Sequence, residues 1–197
     1  SLSFTKPIMP LVKLQLTGYN YLKTSLRDLA PKWGCFANIS YIYDLTLRTQ
    51  TNRLFTYELT FYLPGLVNHH SLMVYTGKQK NIFSNSTNYY QFNNTIRYPR
   101  GYLYENLEDA QTTSINYQFP LMYPDLSMGS LIYLKRIRTN LFFDKTTSTY
   151  KNMESKGVEL IFEYHLLRTI PLLNSGIRIS SNHKGIINKE FIFGFSL

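Results

Sequence analysis

A chain of 197 residues with net charge +9, 44% hydrophobic residues and a mean hydropathy of −0.22 can build one domain with a substantial interior. No stretch approaches the roughly 18 consecutive apolar residues of a membrane helix, which excludes a helical membrane span but not a crossing made by strands. The 21 Lys and Arg are scattered without a run or a helical stripe, so the basic balance does not point to nucleic acid, and the single Cys35 excludes an intrachain disulfide.

The chain opens on Ser1 rather than Met and its first ten residues show no signal-peptide pattern, and we read the chain as a piece of a longer one. Period-two alternation and turn signals then predict nine strands, at about 11–19, 34–46, 54–64, 69–79, 110–120, 129–144, 156–167, 172–181 and 190–197. Between the first two, Asn20 to Trp33 is a longer connection with some helical character. In the second strand Ile39, Tyr41, Tyr43 and Leu45 oppose Asn38, Ser40 and Asp44. In the third, Phe55, Tyr57, Leu59, Phe61 and Leu63 oppose Thr56, Glu58, Thr60 and Tyr62. Ile115, Tyr117 and Phe119 oppose Ser114, Asn116 and Gln118, and Val158, Leu160, Phe162 and Tyr164 oppose Glu159, Glu163 and His165. Phe191, Phe193, Phe195 and Leu197 close the chain.

Strand side chains alternate between faces, so each of these segments has one apolar and one polar surface. A soluble sandwich turns the apolar surface inward; a membrane barrel turns it to lipid and lines its lumen with the polar one. Short connections carrying Pro, Gly, Asn or Asp (Pro64 to Asn68, Pro120 to Met128, around Pro171) alternate with longer polar ones at Leu47 to Arg53, Asn81 to Asp109, Lys145 to Ser155 and Asn182 to Lys189. That alternation favours the barrel, and 17 Tyr and 13 Phe suit aromatic girdles at two interfaces. The basic surplus fits a basic lumen or basic rims facing anionic lipid. The fold expected is all-β, an antiparallel transmembrane β-barrel domain over 1–197.

The long loop carries Arg97-Tyr98-Pro99-Arg100-Gly101-Tyr102, followed by Ser114 to Leu121, then Arg138-Thr139-Asn140-Leu141-Phe142-Phe143-Asp144, and three more strands with an aromatic-alternating end. This order resembles the outer-membrane assembly and polypeptide-transport barrels, the bacterial surface antigen superfamily. Arg27 to Gly34 and Tyr62 to His70 resemble a branch of it in which the barrel follows a large periplasmic region. The resemblance implies a sixteen-stranded barrel of which this chain is the C-terminal part, with seven strands ahead of it. It also implies that the extracellular loop at about 81–109 folds into the lumen, where Arg100, Gly101 and Tyr102 form its tip. Asp144 matches the family's wall carboxylate, and its parity with Arg138 and Asn140 places it on the lumen face. The second family carboxylate falls at Asn116, a neutral acceptor, so the tether is weaker here or uses another acid such as Glu58 or Glu159. Phe191, Phe193, Phe195 and Leu197 match the family's terminal seam strand, with Leu197 where a final Phe is common.

Catalytic patterns are absent from the sequence: there is no Gly-x-Ser-x-Gly, phosphate loop, zinc-binding helix or Cys-His arrangement. His69 and His70, read as strand neighbours, point to opposite faces and share no ion. Glu159 and Glu163 stand about 13 Å apart along a strand, too far for a glycosidase pair. We therefore expect no enzyme activity and no cofactor. The resemblance implies insertion or export of polypeptides at the bacterial outer membrane. Partners would be outer-membrane lipid and lipopolysaccharide, polypeptide clients and accessory periplasmic or lipoprotein subunits, with no nucleic acid. The alternative is a passive outer-membrane channel or surface receptor without insertase activity.

Overall fold

The computed structural model describes residues 10–22, 25, 28–45, 52–83, 92–129, 131–167 and 171–196. They form one antiparallel sheet of ten strands: β1 (Leu11–Tyr21), β2 (Gly34–Asp44), β3 (Asn52–Pro64), β4 (Ser71–Phe83), β5 (Ala110–Met122), β6 (Leu126–Met128), β7 (Ile132–Ser148), β8 (Asn152–Leu166), β9 (Leu172–Asn182) and β10 (Ile187–Ser196). Nine long strands follow one another in chain order as a meander, and the short β6 caps one end of β7. Among the described residues the sheet is open, with β1 and β10 at its margins. No helix long and apolar enough to cross a membrane occurs among them.

The alternation read in the sequence sets the two faces. Facing β3 residues Asn52, Leu54, Thr56 and Thr60 are buried, while Phe55 and Phe61 between them are exposed. On β5 and β7, Thr112, Ser114, Asn116, Asn140, Asp144 and Thr146 are all buried, while Ile115, Leu141 and Phe143 lie open. The burial is therefore inverted relative to a water-soluble sandwich, because polar side chains fill the covered side. Leu54 and Ile161 are exceptions that point to the covered side. Tyr117 and Leu160 share the open face with Leu141, and Phe119 pairs with Thr139 beside Leu160.

What covers the polar side is the segment 92–109 between β4 and β5. Ile96 and Leu107 from this segment, with Ala110 and Met153, make a small buried apolar cluster, edged by Tyr98 and Tyr102. Polar bonds surround that cluster. Thr95 bonds Thr56 at 2.7 Å. Gln79 donates to Asn94 (3.1 Å) and to the Leu107 carbonyl (2.7 Å).

Several boundaries differ from the sequence expectation. The tenth strand, β6, falls inside what the spacing predicts as a Pro120–Met128 connection, and β5 itself runs to Met122. Pro120 has no amide proton; the β4 ladder ends just before it at Gln118, and the β7 register shifts between Pro120 and Met122. The expected long loops Lys145–Ser155 and Asn182–Lys189 are hairpins, because β7 continues to Ser148, β8 starts at Asn152 and β10 starts at Ile187. Thr146, Thr147 and Ser148, polar but β-compatible, continue the ladder beyond the last apolar residue of the pattern. Loop lengths therefore do not alternate as cleanly as expected. The described residues between β1 and β2 include no helix. His69 and His70 belong to the β3–β4 turn, where the Gly65 amide donates to the His70 carbonyl at 3.1 Å and His69 has a φ of 67°. Leu197 and most of the Leu47–Arg53 connection lie outside the described residues.

One glycine ties the sheet to the segment it carries. Gly157 on β8 pairs with Phe142 on β7, and a Cβ there would meet both the Ile179 backbone and the Phe142 ring. Overpacking of this kind typically costs about 1–3 kcal/mol. Gly157→Val is expected to lower the urea midpoint by a corresponding amount, and an unchanged midpoint would show that the strands yield freely here.

Candidate functional site

The segment 92–109 presents Arg100 to the polar face over β5, β7 and β8. The Arg100 guanidinium forks onto Asp144, with Nε to Oδ2 at 2.8 Å and Nη2 to Oδ1 at 2.7 Å. The Arg100 backbone amide donates to the same carboxylate at 3.1 Å. Nη2 also donates to Asn116 Oδ1 at 2.8 Å, and Nη1 reaches Glu159 Oε1 at 3.3 Å. Its guanidinium carbon lies 3.7 Å from the centroid of the Phe142 ring, so the charge is stacked on an aromatic face as well as paired. Asp144 is 2% exposed at its side chain and Arg100 17%, so water screens the pair weakly.

The structure thus brings Arg100, Asn116 and Asp144 together, and of the two further acids weighed from the sequence it is Glu159 that joins them. Glu58 lies elsewhere: it accepts from Tyr75 at 2.8 Å and from Asn38 at 2.9 Å. Asn38 in turn accepts from Gln15 and Thr17 on β1, at 2.9 and 3.0 Å. The Tyr75 hydroxyl accepts from the Arg97 amide at 3.1 Å, and the Arg97 guanidinium lies over the Tyr75 ring.

Gly101 and Tyr102 hold the other side of the turn. Gly101 has φ +77°, a conformation that L side chains rarely adopt, and a Cβ there would also strike Ser180. Its carbonyl accepts from Asn188 on β10 at 2.6 Å. The Tyr102 hydroxyl donates to the Glu154 carbonyl at 2.9 Å, lies 2.9 Å from His183 Nδ1, and its ring stacks on that imidazole. Phe191, Phe193 and Phe195 do not approach this cluster. They project from the open face of β10 and are exposed.

Sequence reading overlooked a set of ion pairs flanking Arg100. Arg178 bridges Glu159 and Glu190, each at 2.7 Å, which carries the cluster to β10. Arg136 and Arg138 both hold Glu163, at 2.5 and 2.6 Å. Strand parity could have placed these residues on the polar face, but their pairing follows only from the register, in which Arg178 sits directly across from Glu159 and from Glu190. Asn140 ties the groups together by donating to Glu159 at 2.8 Å and to Asn116 at 3.2 Å. A cavity of about 460 Å³ lies among these side chains, with Met73, Gln118 and Arg138 on its wall. No group of three or more His, Cys, Asp or Glu placed to hold a metal ion occurs among the described residues.

At the opposite end of the strands His69 and His70 are separated by the turn. His69 Nδ1 lies 3.0 Å from Asp28 Oδ1, and His70 Nδ1 lies 2.8 Å from the Tyr117 hydroxyl. Burial pushes the Asp28 carboxyl up, but the Ser25 amide, His69 and Lys32 together hold it below the ordinary Asp range.

Comparisons with protein-family models, with curated proteins and with solved structures found no match to this chain.

Removing one partner of a buried charge pair leaves the other uncompensated and costs about 3–5 kcal/mol. Arg100→Ala is expected to release 92–109 from the sheet, read as new protease cleavage within that segment while β5, β7 and β8 stay resistant. Arg100→Lys should restore only part of the protection, because an ammonium cannot fork. Unaltered cleavage in Arg100→Ala would show that the apolar cluster alone holds the segment.

A second expectation concerns acid. Because the folded-state pKa of Asp28 is depressed, its contribution is present above the ordinary value of about 3.9 and is lost as pH falls through the lowered one. Fluorescence of the single Trp33, beside this contact in the chain, should report a transition only in that acidic range, and Asp28→Asn should remove it.

Proposed function

We propose that this chain is part of an outer-membrane β-barrel similar to the assembly and polypeptide-transport superfamily, and that it inserts or exports polypeptides. In this reading the open apolar face contacts acyl chains and the polar face borders an aqueous interior, into which 92–109 is folded. The inverted burial is the observation that carries the reading. Large apolar side chains such as Ile177, Phe193 and Leu141 stand open while Thr112, Asn116 and Asp144 are enclosed. An exposed apolar surface this extensive calls for lipid or a partner. The Arg-Gly-Tyr turn seated on Asp144, with five long strands after it, supports membership of the assembly type over a simple pore.

An open sheet margin cannot face hydrocarbon, since its amides would be left without partners. Closure therefore requires further strands beside β1 and β10. The unpaired margin of β10, with its Phe191, Phe193 and Phe195 row, is the proposed seam at which a client strand adds by β-augmentation.

The test begins with refolding of the full chain into lipid vesicles. A mobility shift between unheated and boiled gel samples is the expected result; a chain that stays soluble without detergent and shows no shift ends the barrel reading. Insertion is then separated from passive conduction by the folding rate of a second outer-membrane protein into the same vesicles. Acceleration supports the assembly role, whereas solute leakage without acceleration supports the channel.

A further inference from the structure

We infer that the open face carries a built contact for anionic lipid headgroups along one rim only, the rim at the end of the sheet where 92–109 emerges. This rests on the membrane reading above and names the lipid chemistry that reading leaves open.

Arg53, Lys78, Lys80, Lys145, Lys156 and Lys189 are all exposed on the face opposite the buried polar one. Their registers place them there: Lys80 is across from Phe55, Lys156 from Phe143, and Lys189 from Ile179, all open-face residues. Each lies within five residues of its strand's end on the 92–109 side, as the bounds of β3, β4, β7, β8 and β10 show. The only acid among them is Glu154, paired to Lys145 at 2.7 Å. Lys78, Lys80, Lys156 and Lys189 make no ion pair with a described acid, and Arg53 stacks over Tyr43. Among the described residues the other half of the same face is largely aromatic, with Phe61, Tyr117, Phe119, Phe162, Phe193 and Phe195.

Their arrangement across the sheet is the stronger argument. Lys78 is level with Gln111 and Thr147, and Lys145 is two residues further down β7. Glu154 is level with Lys145, and Lys156 is two residues further along β8. Ser181 is level with Lys156, and Ile179, two residues on, is level with Lys189. The cations thus descend six residues over five strand-to-strand steps. With about 3.3 Å per residue and about 4.8 Å between strands, the line is inclined by roughly 40° to the perpendicular of the strands. Barrel strands tilt by about 35–45° in a bilayer. A row inclined by that angle, in the sense in which the strand ends themselves step, becomes a level ring around the barrel. A level row of cations, most of them without a described acid partner, directly beside an apolar belt matches a plane of headgroup phosphates. An acidic protein would need no such levelling.

The test uses the full chain reconstituted in nanodiscs of phosphatidylcholine containing one part in five phosphatidylglycerol, with retained lipids counted by native mass spectrometry. The wild type is expected to retain the anionic lipid with at least tenfold preference over its share. Combined Lys78→Gln, Lys80→Gln, Lys156→Gln and Lys189→Gln should bring the preference close to one, while the four Lys→Arg changes should keep it. Equal preference in wild type and Gln variant, with both inserted, overturns the rim and leaves the barrel reading standing. A wild type that inserts without preference overturns it too, and leaves an acidic protein as the occupant to seek. Failure of the wild type to insert at all removes the membrane reading and this inference with it.

Discussion

A positive charge enclosed on the covered side of the sheet has to be neutralised where it sits, and the way Arg100 is neutralised organises much of what surrounds it. Its planar fork demands a carboxylate in one orientation, which Asp144 supplies from the last third of β7. The backbone amide of the same residue joins that carboxylate, so the main chain of the segment is fixed along with the side chain. Glycine must follow, because the chain turns through positive φ against Ser180. The aromatic ring beneath the guanidinium has room only because residue 157 on the next strand lacks a side chain. One ion pair thus connects a loop, three strands and two glycines, and it does so with a neutral Asn116 in the place of a second charge, Glu159 adding what the amide cannot.

Much of the fold was legible because period two is a robust signal. All nine long strands are where alternation puts them, and the face assignments of Asn38, Glu58, Asn116 and Asp144 follow from parity alone. The misreadings have physical causes. Thr146 to Ser148 and Asn152 look like loop by hydropathy, yet a hairpin rising beyond an apolar belt has no need of apolar residues. The three residues of β6 are too few to show a period, and they form a strand only because β7 is long enough to offer them a ladder. His69 and His70 sit at a strand boundary, where one residue of slip turns a strand pair into a turn.

The site was legible in part for a different reason. Arg100, Asn116 and Asp144 could be assigned by their order in the chain, since a resemblance carries order. The partners of Glu159 and Glu163 depend on register, which is set by hairpin geometry rather than by composition. Arg178 opposite Glu159 is invisible until the β8–β9 pairing is known. Glu58 was an equally reasonable acid from the sequence, and only its engagement with Tyr75 and Asn38 takes it out of reach.

The two margins of the sheet are fastened in a way that separates side-chain from main-chain bonding. On β10, Glu190 and Asn188 are engaged toward the enclosed side by Arg178 and by the Gly101 carbonyl; on β1, Gln15 and Thr17 are engaged by Asn38. These bonds leave the outermost peptide groups of both strands uncommitted. A newcomer zipping onto either border would therefore form its own ladder without unpicking anything within, and its departure would leave the enclosed lattice intact. Reversible docking of that sort needs no rearrangement of the host.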